Sequence, residues 1–172
     1  MGDRSNINII QSKKESGGYH GINLYSHAGG LDPQLKALAA IAKGSISSAE
    51  GEWGFTALLR ALLTQDHDVV FKDAWSTTKI SQARIMSVRT LREAEFMHLD
   101  NQHPILAIDF VNDRIVYGFG EQDMADTIVP FTEAGAERLY SLIEERIRPE
   151  YRRDFLNRKS QARNLKGISS AG

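Results

Sequence analysis

The 172-residue chain is 41% hydrophobic and 25% charged, enough apolar material to bury one core of its own. It has no cysteine, which excludes disulfides and thiolate metal sites and fits a reducing cytosol; no run approaches the roughly 20 apolar residues that cross a bilayer. The net charge of −1 conceals an asymmetry, because residues 151–172 hold Arg152, Arg153, Arg158, Lys159, Arg163 and Lys166 against the single acid Asp154, +5 in all, leaving −6 on residues 1–150.

The first ten residues lack the basic-then-apolar order of a signal peptide. Met1-Gly2 is followed by Asn6, where myristoylation wants Ser or Thr. Residues 5–11 and 19–27 alternate as two strands of a hairpin, with Ile22 and Leu24 on one face and Asn23, Tyr25 and His27 on the other. After Gly29-Gly30, Asp32 is placed to cap a helix and Pro33 to begin it, and Leu35, Leu38, Ile41 and Ala42 supply its apolar stripe up to Gly44. A second helix follows Ser47-Ser48, with Trp53, Ala57, Leu58, Ala61 and Leu62 at helical spacing, and ends near Asp66-His67-Asp68. Residues 69–91 mix strand-like and polar stretches.

The clearest strand signals come next: Glu95–Leu99, Ile105–Val111 and Arg114–Phe119, joined by turns at 100–104 and at Asn112-Asp113, predict an antiparallel meander. A last strand at Thr127–Phe131 leads through Thr132 as N-cap into a helix with Ala136, Leu139, Tyr140 and Ile143 inward, ending before Pro149. This order lacks the regular strand-helix alternation of a doubly wound sheet. It predicts an α+β fold, a mostly antiparallel sheet with about three helices packed on one face, over residues 1–150. Residues 151–172 form a basic C-terminal tail whose end, from Gly167, reads as disordered.

Three clusters are candidate sites, each with a structural alternative. His27 stands at a strand-to-helix corner, where Gly29 and Gly30 amides could hold an anion, Asn23 and Tyr25 could orient a ligand, and the imidazole could move a proton; the alternative is a plain glycine turn beside a hydrogen-bonded histidine. His98, Asp100 and His103 could meet at a turn around a metal ion, or could be ordinary turn and cross-strand chemistry. Asp109, in an otherwise apolar strand, needs a partner, and Arg114 across the turn is the natural one. Ser26 cannot serve His27 as a nucleophile, because adjacent strand residues point to opposite faces. The tail residues Arg152, Arg153, Arg158 and Lys159 could neutralise phosphates or an acidic partner surface.

Tyr25-Ser26-His27-Ala28-Gly29-Gly30 before a helix, then a helix carrying Trp53, then residues 100–109 (DNQHPILAID) resemble small uncharacterised proteins of tailed bacteriophages, and the opening Gly2–Ile7 is similar to the start of a related set. The resemblance covers roughly residues 2–110, with Ala28 where tryptophan is usual. It implies a phage origin and a host-cytosol setting, and supplies no activity or catalytic residue. Three function classes follow. The first is an accessory protein that binds a host or defence protein or sequesters a nucleotide-like signalling molecule, as an oligomer or complex without turnover. The second is a hydrolase or transferase using His27 on a phosphate-containing substrate. The third is a nucleic-acid binder working through the tail. No cofactor is specified.

Overall fold

The structure, a computed structural model, describes residues 3–27, 29–44, 46–63, 80–122 and 124–146. Strands β1 (Ser5–Lys13) and β2 (Tyr19–Ser26) form the expected hairpin, closed where the Lys14 N–H donates to Gly18 O. Ile7 faces Leu24 and Ile9 faces Ile22, while Asn6 is opposite Tyr25 and Asn8 opposite Asn23. Because strand side chains alternate, this register puts one apolar and one asparagine-rich set on the two sides of the sheet.

Helix α1 (Asp32–Ala42) begins one residue earlier than the sequence predicts. Leu31, at φ −80° and ψ −11°, is the N-cap, and Asp32 falls in the first turn beside Pro33. An acid there complements the positive end of the helix dipole. A single 3₁₀ turn (Ser48–Glu50), capped by Ser47 Oγ accepting from the Ala49 N–H, leads into helix α2 (Glu52–Leu63). Phe55, Leu58 and Leu62 are its buried face; Trp53, predicted to be part of that face, is 81% exposed. The predicted end of α2 at 66–68 and most of the ambiguous 69–91 stretch lie outside the described residues.

Strand β3 (Gln82–Val88) pairs antiparallel with β2. The next element corrects the sequence reading: residues 91–96 form helix α3 (Leu91–Phe96) in place of a strand over Glu95–Leu99. Thr90 starts it, its Oγ1 accepting from the Glu93 N–H at 3.1 Å. Threonine followed three residues later by glutamate is a helix-start signature, and here it outweighs the strand-like alternation of the residues that follow. Strands β4 (Ile105–Asp109), β5 (Arg114–Gly118) and β6 (Thr127–Pro130) make an antiparallel meander. Helix α4 (Glu133–Arg146) follows, with Thr132 Oγ1 accepting from the Gly135 N–H, and Ala136, Leu139, Tyr140 and Ile143 are all buried as predicted.

The six strands lie in the order β3-β2-β1-β4-β5-β6, antiparallel except for the β1–β4 pair, so the fold is α+β with a mostly antiparallel sheet. Helices α1, α2 and α4 cover one face and share the main core with Ile7, Ile9, Leu24, Leu106, Ile108, Ile115, Tyr117 and Val129. Phe110 ties three elements together, edge-on to Phe55 and to Phe131 with ring centroids 6.1 and 4.8 Å away. The opposite face, predicted to lack helices, is covered by α3, whose Ala94 packs with Ile10 and Met86. Among the described residues no helix is long and apolar enough to cross a membrane.

Candidate functional site

Asn6, Asn8 and Asn23 stand side by side on β1 and β2, beneath α3 and the segment after it, and all three are fully buried. Burying three amides is costly unless each is hydrogen-bonded, and each is. Asn8 Nδ2 donates to Glu95 O at 2.9 Å and to Met97 O at 2.7 Å. Asn23 Nδ2 donates to Asn8 Oδ1 at 2.7 Å and to Asn6 Oδ1 at 3.3 Å. Asn6 Oδ1 accepts from the Leu99 N–H at 3.1 Å, and its Nδ2 donates to Asn101 Oδ1 at 2.9 Å. The layer hydrogen-bonds residues 95–101, which lack regular structure beyond α3, to the sheet. Asn23, expected to share an open face with Tyr25 and His27, is instead fully buried and hydrogen-bonded within this layer.

The His27 corner assembles only in part. Tyr25 Oη and His27 Nδ1 are 3.2 Å apart, so these two side chains do meet, and the His27 backbone N–H donates to Ser81 Oγ at 2.9 Å. The glycine amides are already engaged: Gly29 N–H donates to Ser26 Oγ at 2.9 Å and Gly30 N–H to Asp3 O at 2.8 Å. Gly30, at φ +55°, takes the left-handed backbone that favours glycine, and a side chain there would run into the Asp3 carboxylate. An anion at this corner would meet spent donors and a carboxylate. Ala28 lies outside the described residues.

His98, Asp100 and His103 do not converge. His98 Nδ1 is 2.8 Å from Phe96 O, Asp100 pairs with Arg4, and His103 Nε2 is 2.5 Å from Asp3 Oδ1. Among the described residues no three His, Cys, Asp or Glu side chains form a metal-competent group. The turn instead clips the start of β1 to residues 100–103, reinforced by the Arg4 N–H donating to Gln102 Oε1.

Asp109 is fully buried and structural. Its Oδ1 accepts from the N–H groups of Val111 and Asn112 at 2.8 and 2.9 Å, its Oδ2 accepts from Asn112 Nδ2, and Arg114 Nε lies 3.8 Å from Oδ2. Arg114 bonds more closely to Glu95, Nη2 to Oε1 at 2.6 Å. Burial raises the Glu95 carboxyl above its ordinary value of 4.5, against the lowering pull of the Arg114 charge and hydrogen bond, with Asp109 and Asp126 adding a further push upward. The sequence had paired Arg114 with Asp109 alone, because Glu95 was placed on a strand. The tail residues Arg152, Arg153, Arg158 and Lys159 lie outside the described residues.

A surface the sequence did not single out lies on the helix-covered side of the sheet, where β1, β2 and β3 pass the start of α2. An open groove of about 600 Å³ is lined there by Ile22, Ile85 and Phe110 with His20, Gln11 and Glu52 among its polar members. Ile85, midway along β3, is 87% exposed, and Trp53 follows Glu52 on α2. The signal was present in part. Ile85 lies in the strand-like part of the 69–91 stretch, but its exposure depends on what covers that face of β3, which no local pattern encodes. Comparison of the chain with protein-family models, with curated proteins and with solved structures gives no match.

Proposed function

We propose that this protein acts by binding a macromolecular partner, without turnover, through the surface formed by the β3 edge, the adjoining groove and the start of α2. The observation that carries this reading is an open groove lined by the exposed Ile85 with Ile22 and Phe110, reached by the start of α2 at Gly51 and Glu52, the residue after which, Trp53, is a second exposed large apolar side chain. Single exposed apolar residues are ordinary, whereas apolar groups gathered at a concave surface with a polar rim are the usual form of an interaction site, and tryptophan is prominent among residues that anchor interfaces. The enzymatic alternative has less support, since it needs the Gly29 and Gly30 amides for its anion and both already have acceptors. The resemblance to tailed-phage proteins supports a small accessory role in which the partner is a host or defence protein met in the host cytosol.

The test is affinity capture from host extract by the native protein and by a Trp53→Ala, Ile85→Asp double variant, each first shown to be folded by circular dichroism. A protein retained by the native chain and lost from the variant is the expected result. Equal retention by both, or phosphoester hydrolysis that disappears in His27→Ala, would overturn the reading.

A further inference from the structure

We propose that the open edge of β3 accepts an extended, acidic segment of the partner as an added strand, with Arg84 and Arg89 meeting its carboxylates and Ile85 its apolar side chains. This rests on the partner-binding reading and names the chemistry of the partner.

Among the described residues the sheet ends in β3 on one side and β6 on the other, and the two edges differ. β6 spans four residues, ends at Pro130, which has no N–H to donate, and is flanked by Asp126 and Glu133; short length, proline and charge are the devices that keep an edge from pairing. β3 is neither short nor proline-bearing, and its one charged residue, Arg84, is part of the proposed contact. The strand runs for seven residues, and most of its side chains are exposed. A strand edge of this kind is a template for main-chain pairing with an extended peptide.

Charge identifies the occupant. Residues 80–90 contain Arg84 and Arg89 and no acid. Arg84 is partly buried, and its Nε and Nη2 donate at 3.3 and 3.2 Å to the neutral Asn23 Oδ1. No carboxylate pairs with Arg84 or Arg89 among the described residues. Among the described residues the side chain of Arg84 is thus held by a hydrogen bond to a neutral amide and pairs with no carboxylate. Register separates the two kinds of contact. Arg84, opposite Asn23, lies on the α3 side of the sheet, and Ile85, opposite Ile22, lies on the groove side. An added strand would match β3 by alternating acidic and apolar residues, since cross-strand partners share a face.

A second copy of this chain fits the edge poorly. Symmetric antiparallel pairing about Ile85 would set the two Arg84 residues diagonally across the seam, roughly 7–8 Å apart, inside a Debye length of about 8 Å at physiological salt, with no acid between them.

The probe is a fluorescently labelled peptide, Glu-Val-Glu-Ile-Glu-Val-Glu, with a Lys-for-Glu counterpart, titrated by anisotropy against the full chain. Saturable binding of the acidic peptide only, with slowed hydrogen exchange of the amides at 82–88, is the expected result. Arg84→Gln should weaken it by up to about fivefold, the range of a cross-strand charge pair, and Arg89→Gln, one residue past the end of β3, by less. Glutamine at 84 can still donate to Asn23, so the fold is kept. Equal binding of both peptides, no saturable binding, or protection elsewhere would overturn the proposal. So would a concentration-dependent dimer, seen by sedimentation, that Ile85→Asp abolishes. If a captured host protein is lost with Trp53→Ala, Ile85→Asp but bound by Arg84→Gln with the affinity of the native chain, partner binding stands and the acidic strand falls.

Discussion

Asn8→Ala tests whether the asparagine layer holds residues 95–101 to the sheet. Asn8 is fully buried, and the substitution removes its bonds to Glu95 O, to Met97 O and from Asn23 Nδ2, at 2.9, 2.7 and 2.7 Å. The losses are unequal. Met97 O keeps a long contact from Asn23 Nδ2 at 3.4 Å, and Asn23 Nδ2 keeps Asn6 Oδ1 at 3.3 Å, whereas Glu95 O loses its side-chain donor. Leaving one buried polar group without its bond costs about 1–3 kcal/mol; one full loss and two weakened bonds come to about 3 kcal/mol. For a chain of this size that lowers Tm by about 6–12 °C. Urea unfolding followed by circular dichroism reads the global change. Hydrogen exchange reads the local one, with the Leu99 amide, which donates to Asn6 Oδ1, expected to exchange faster. Gln11→Ala, at an exposed strand position, is the control and should stay within about 0.5 kcal/mol. A loss below about 1 kcal/mol in Asn8→Ala, with unchanged exchange at Leu99, would refute the structural role assigned to the layer.

Glu95 makes stability depend on pH in a definite direction. Its carboxyl is raised in the folded state by burial, so its contribution is full below the unfolded value and is lost as pH rises through the folded one; Glu95→Gln should flatten that decline in urea titrations run upward from about pH 4.5. Gly30→Ala should cost about 1–2 kcal/mol from the left-handed backbone alone, more if the Asp3 carboxylate cannot move aside, as read by thermal unfolding. Asp3→Asn should cost under about 1 kcal/mol, because the side-chain pair with His103 is largely exposed on the aspartate side. His98→Ala and His103→Ala should leave any zinc uptake measured by equilibrium dialysis unchanged.

Legibility in the sequence followed how local the determining physics was. The β1–β2 hairpin, α1 and α4 are written in nearest-neighbour terms, as alternation of Ile22, Asn23, Leu24 and Tyr25, a proline at a helix start and Thr132 as a cap, and all three were readable. Helix α3 was misread because Glu95, Phe96, Met97, His98 and Leu99 alternate while the cap at Thr90 lies five residues upstream of that run. Burial was less legible than secondary structure. Whether Asn23 or Trp53 is inside depends on what covers each face, and that is decided by α3 crossing one side of the sheet and by α2 turning its tryptophan outward, neither of which is a local property. The metal and anion readings drew on residue types at suggestive spacings, but His98, Asp100, His103, Gly29 and Gly30 each have another partner in the folded chain.

The asparagine layer also bears on how an edge strand can serve as a binding surface. A strand bonded to one neighbour only is prone to fray, and a frayed edge would spend binding free energy on ordering itself. β3 is tied down from the side: Arg84 donates to Asn23, Asn23 donates to Asn8, and Asn8 donates to carbonyls at the end of α3 and just beyond it, while Met86 packs with Ala94 and Ile10. The inner half of β3 is therefore fixed by buried contacts, and its outer half, with Ile85, is left exposed. Asn23→Leu separates the two roles. It removes the acceptor that holds Arg84 without touching any outward-facing group. If the layer preorganises the edge, the acidic peptide should bind Asn23→Leu more weakly while hydrogen exchange at 82–88 in the free protein speeds up. Weaker binding with unchanged exchange would mean that Asn23 acts on the Arg84 side chain alone, and unchanged binding would disconnect the layer from the edge altogether.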